Sequence, residues 1–127
     1  MKNFLMLLSV ALLFGCSEPK VDVDKMNHAN AQINRGEYED GIKTLDEMGK
    51  KSPSDPALKQ SRVQAHMKYA TFFMYNDSLP PKVKYPTALK HYREVLKLDP
   101  SNADAKEQAQ MIVDIYKSMG REVPAEN

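Results

Sequence analysis

Apolar residues recur along this chain at intervals of three and four, and glycine and proline cut the pattern into segments of helical length. Met26, Ala29 and Ile33 make a first short stripe, stopped by Gly36. Tyr38, Ile42, Leu45 and Met48 make a second, closed by Gly49. Pro53-Ser54-Asp55-Pro56 then reads as a turn, because Asp55 is a capping residue and Pro56 suits a first helical position. A third segment covers residues 56–75 and carries Val63, Met67, Ala70, Phe73 and Met74. Leu79-Pro80-Pro81 breaks it, since proline lacks the N–H that a helix interior needs. The pattern predicts a loop over 76–84 and a fourth helix from near Pro86, with Ala88, Leu89, Tyr92, Val95 and Leu96 on one side. After Asp99-Pro100-Ser101 the last segment carries Ala105, Ala109, Ile112, Tyr116 and Met119, and Gly120 ends it. The expected secondary structure is five helices and no strand.

Two of these segments are versions of one another. Gly36-Glu37-Tyr38-Glu39-Asp40-Gly41-Ile42 leads through Leu45 and Met48 to Pro53. Tyr85-Pro86-Thr87-Ala88-Leu89 leads through Tyr92 and Val95 to Pro100, and in both the tyrosine stands 15 residues before the closing proline. This resembles the second helix of a tetratricopeptide repeat. Leu96-Lys97-Leu98-Asp99-Pro100-Ser101-Asn102-Ala103-Asp104-Ala105 is similar to that family's repeat-ending segment. The closing prolines lie 47 residues apart, against a family period of about 34, so the second unit carries roughly 13 extra residues. Gly41 stands where the family usually has alanine, and Val83 where the second unit should have a turn glycine. The resemblance implies an all-α fold of antiparallel helical hairpins over residues 24–120: a short solenoid of two repeats and a C-terminal capping helix. Residues 121–127 are expected to form a disordered tail.

The N-terminus carries a different signal. Met1-Lys2-Asn3 precedes an apolar run over residues 4–14, then Gly15-Cys16-Ser17. A basic start, a short apolar stretch and a small residue read as an export signal. The run is too short for a helical span, which takes about 20 apolar residues. Leu13-Phe14-Gly15-Cys16 resembles the bacterial lipobox, with Phe14 bulkier than the family's usual residue. The resemblance implies that residues 1–15 are removed and that Cys16 carries a covalent lipid, with residues 16–23 as lipidated N-terminus and tether. Ser17 in place of an aspartate implies the outer membrane, facing the periplasm. An ordinary secretory peptide cleaved after Ser17, or an uncleaved anchor, remains the alternative. Against both stands the position of the single cysteine, where the apolar run stops.

Composition narrows the rest. The chain has 127 residues, with 18 basic and 17 acidic side chains. Lys2 is the only charged residue among residues 1–15, so the remaining chain is formally neutral. No basic field exists to hold nucleic acid. One cysteine excludes a thiolate metal cluster or a redox pair. His28, His66 and His91 fall on three different predicted helices, none with a partner at i+3 or i+4. His66-Met67 with Met74 suggests a soft copper site, but methionine at helical spacing more simply fills a core. No phosphate-cradling glycine loop, nucleophile elbow or HExxH helix occurs. No enzyme, metal or cofactor is expected beyond the lipid on Cys16.

What remains is surface. The tetratricopeptide resemblance implies a concave protein-binding groove from the first helix of each unit: Asn30, Ile33 and Asn34, then Gln60, Gln64, Met67 and Lys68. Met26 stands where peptide-clamping members have lysine, so a carboxylate clamp is not implied. A second candidate is an exposed aromatic patch of Phe72, Tyr75 and Leu79, because one helix cannot turn all of Phe72-Phe73-Met74-Tyr75 into a single core stripe. The expected role is a periplasmic, membrane-anchored scaffold or adaptor with a protein partner. The alternatives are a self-associating structural lipoprotein and a metal- or ligand-binding protein.

Overall fold

A computed structural model describes residues 17–126. The expected signal segment and Cys16 therefore lie outside the described residues. Five α-helices follow in order: α1 (Val23–Asn34), α2 (Tyr38–Lys51), α3 (Pro56–Met74), α4 (Pro81–Leu98) and α5 (Ala103–Ser118). Among the described residues there is no strand. Short connections turn each helix back against its predecessor, and α1 also reaches α3. The all-α expectation holds.

The helix ends follow from local chemistry. Asp22, Asp55 and Asn102 each accept a hydrogen bond from the backbone N–H three residues on, at 3.0, 2.8 and 2.9 Å. α1 and α5 stop at Gly36 (φ +84°) and Gly120 (φ +63°), where the backbone is left-handed. The next N–H in each case folds back, Glu37 to the Gln32 carbonyl and Arg121 to the Tyr116 carbonyl, both at 3.0 Å.

Two boundaries differ from expectation. Gly49 does not close α2, which continues to Lys51. Its missing Cβ makes room for the Arg62 guanidinium of α3. The expected 76–84 loop is shorter because α4 starts at Pro81, with Pro80 as its N-cap. Pro81 sits where a helix has no use for its N–H, so the second of the two prolines initiates the helix that the pair was expected to exclude. Pro86 lies inside α4 and deprives the Lys82 carbonyl of its helical donor. Lys82 is exposed, so water can replace it.

The core has two parts. Met26, Ala29, Ile33, Ile42, Leu45, Met48, Leu58, Ala65 and Tyr69 join α1, α2 and α3 as far as Tyr69. Ala70, Met74, Ala88, Leu89, Tyr92, Val95, Ala105, Ala109 and Ile112 join the end of α3 to α4 and α5. Half-buried Phe73 packs against both. The stripe expected on α3 is only partly right. Leu58, Ala65 and Tyr69 are buried, whereas Val63 and Met67 are half-buried. A helix walled on two sides has no single apolar stripe for periodicity to find.

Both ends of the described chain are tied down. The Glu18 carboxylate accepts from the Ser54 N–H at 3.1 Å and the Ser54 hydroxyl at 2.6 Å. The Ser52 hydroxyl donates to the Pro19 carbonyl at 2.7 Å, and Val21 packs against the first core. Most of the expected 16–23 tether is thus part of the domain. Likewise the expected disordered tail is held. Val123 packs on the second core, and Arg93 donates to the Pro124 carbonyl at 2.7 Å and pairs with Glu126 at 3.6 Å.

Candidate functional site

The aromatic residues gather where α3 ends. Phe72 and Tyr75 remain 45% and 59% exposed, whereas Leu79 is half-buried. Tyr38, at the start of α2, stacks on Tyr69 at 5.0 Å and meets Phe72 at 5.5 Å. Phe73 supports them from inside, edge-on to Tyr69 at 5.0 Å and to Phe72 at 5.5 Å. Tyr75 reaches across to α5, donating its hydroxyl to the Gln108 side-chain oxygen at 2.8 Å. An open depression of about 650 Å³ lies among Tyr38, Met67, Lys68, Phe72 and Tyr75. The rings are therefore fixed in orientation but bare on one side. Such rigid amphipathic rings suit a binding surface, since little side-chain freedom is lost on contact.

The expected groove is arranged differently. Ile33 is a core residue, 4% exposed, and lines no surface. Asn30 donates to the Ser61 hydroxyl at 3.1 Å, and Lys68 donates to the Asn34 side-chain oxygen at 2.6 Å. These bonds stitch α1 to α3. Gln60 and Gln64 are exposed, and Met67 is half-buried against the second core. Asn30 and Ile33 thus hold the fold together. Asn34, Gln60, Gln64 and Lys68 remain at the surface, and of these only Lys68 lines the aromatic depression.

A second arrangement has no local sequence signature. His66 and His91 meet Nδ1 to Nδ1 at 2.8 Å, and His66 is buried. The other His66 nitrogen, Nε2, lies 3.2 Å from an Asp46 carboxylate oxygen, and Arg62 donates to the same carboxylate at 2.8 Å. An ionised carboxylate only accepts, so His66 presents Nε2–H to Asp46, and the two facing Nδ1 atoms of His66 and His91 share one proton between them. Burial foremost, then the nearby His66 and Lys90, pushes His91 down to about 4. Burial works to raise Asp46, but the hydrogen bonds from His66 and Arg62 outweigh it and hold the carboxyl below its ordinary value. Tyr69 packs on His91 at 4.7 Å and donates to Glu39 at 3.0 Å. Burial and that bond raise its hydroxyl to about 12.

This network joins α2, α3 and α4 at the seam between the two cores. Its chemistry is limited. Among the described residues no group of three or more histidine, cysteine or carboxylate side chains could hold a metal ion. Met74, the soft ligand suggested by sequence, is buried in the second core. The histidine pair was beyond sequence reasoning because it spans 25 residues between helices. Comparison with protein-family models, curated proteins and solved structures yields no match.

Proposed function

We propose that this chain is a lipid-anchored adaptor of a bacterial cell envelope, with a small tetratricopeptide-like domain that docks a protein partner through the aromatic end of α3. The observation that carries this reading is the exposure of Phe72 and Tyr75 on a rigid aromatic scaffold that the core does not need to leave open. The lipobox-like Leu13-Phe14-Gly15-Cys16 supplies the address, facing the periplasm. The role read here is recognition, and the hydrogen bonds of the histidine network are made within the fold.

The test is site-specific photocrosslinking of the full-length chain in native envelopes, with the photoreactive residue at Tyr75 and, for comparison, at Gln64 and Asp104. A single heterologous adduct at position 75, lost on Phe72→Ala without loss of helicity, is the expected result. An adduct of twice the chain's mass would instead make the aromatic end a self-association surface. Equal labelling at all three positions would remove the docking role.

A further inference from the structure

The N-terminal segment does more than connect. Glu18 and Pro19 bind Ser54 and Ser52 in the α2–α3 turn, and Val21 is packed into the first core. Only Ser17 separates Cys16 from the docked Glu18, and two residues of extended chain reach about 7 Å at most. An anchor at Cys16 therefore has almost no slack. We propose that the α2–α3 end of the domain rests on a lipid surface, held there by the docked 18–21 segment. This rests on the lipid-anchor reading above.

The charges at that end are mixed, so the short tether and not net charge sets the orientation. Lys20, Lys50 and Lys51 are exposed and enter no ion pair among the described residues. The neighbouring carboxylates of Glu18, Asp22 and Asp55 accept hydrogen bonds only from neutral N–H and O–H groups of the chain, which bring no positive charge. Asp24 in the first turn of α1, Glu47 one turn before Lys51 and Asp99 near Lys59 are further acids at this end. The orientation also has a geometric consequence. α3 starts at this end and its 19 residues rise about 28 Å to the aromatic end. Phe72 and Tyr75 thus stand away from the bilayer.

The experiment uses the full-length lipidated protein in vesicles of phosphatidylethanolamine and phosphatidylglycerol that contain a headgroup-linked quencher. Single fluorophores are placed through Pro53→Cys or Ser78→Cys, since a lipidated Cys16 sulfur does not react. Intact mass reports the lipid. The expected result is severalfold stronger quenching at 53 than at 78, with the difference shrinking in a Glu18→Ala, Ser52→Ala double variant. Lipid on Cys16 with equal or reversed quenching overturns the orientation alone. An unchanged difference in the double variant overturns the role of the docked segment. A chain without lipid on Cys16 overturns the orientation together with the anchor reading.

Discussion

Gly41 shows how much a single side chain can matter here. A Cβ there would lie 2.7 Å from Ile33 Cδ1 and 2.8 Å from the Ala29 carbonyl oxygen. The residue that looks like a departure from the repeat pattern is the one that lets α1 and α2 close. Gly41→Ala should lower unfolding free energy by about 1–3 kcal/mol, overpacking outweighing alanine's helical advantage. At Gly49 the obstacle is the movable Arg62 guanidinium, so Gly49→Ala should cost much less. Urea denaturation of both variants decides the order. His91 gives a second expectation at this scale. Its folded value of about 4 lies below the ordinary 6.5, so the unfolded chain binds more protons in between. Stability contributed by neutral His91 is present above pH 6.5 and lost as pH falls towards 4. Asp46, also lowered, adds loss of the same sign at still lower pH. Thermal melts should show the midpoint falling across that window, and His91→Gln should flatten the slope. Unchanged slope in the variant would remove His91 as its source.

Helix positions were readable from spacing wherever one face alone is buried, as for Ala88, Leu89, Tyr92 and Val95 on α4. The same logic failed on α3, where Leu58 and Ala65 serve one core and Ala70 and Met74 the other. Capping chemistry at Asp55 and Asn102 was legible because it is local. The double role of Pro80 and Pro81 was not, since a proline can either end a helix or begin one. Pro86 makes the distinction testable. Pro86→Ala restores a donor for the Lys82 carbonyl and should stabilise the domain by about 1–3 kcal/mol. Pro81→Ala, at a position needing no donor, should be neutral or slightly destabilising. Equal effects would mean that α4 does not begin where the backbone places it. Of the candidate sites, the exposed aromatics followed from angular spacing along one helix, whereas the histidine pair needed tertiary contact to exist at all.

The whole domain should unfold as one unit because α3 is a wall of both cores. Leu58→Ala and Leu89→Ala, one in each core, should each cost about 2–5 kcal/mol. Both should shift a single unfolding transition, by calorimetry as by circular dichroism. A second, separately moving transition would show that the cores melt independently. The shared helix also orders folding as the chain emerges N-terminus first. α1 and α2 emerge with Ile33 and Leu45 already apolar and facing one another, yet the third wall of their core is not made. When α3 arrives it closes that core with Leu58 and Tyr69 while Ala70 and Met74 on the same helix await α4. Each newly made helix thus completes the layer laid down before it and leaves an unfinished one for its successor, until α5 covers Tyr92 and Val95 and the growing chain has closed its second core.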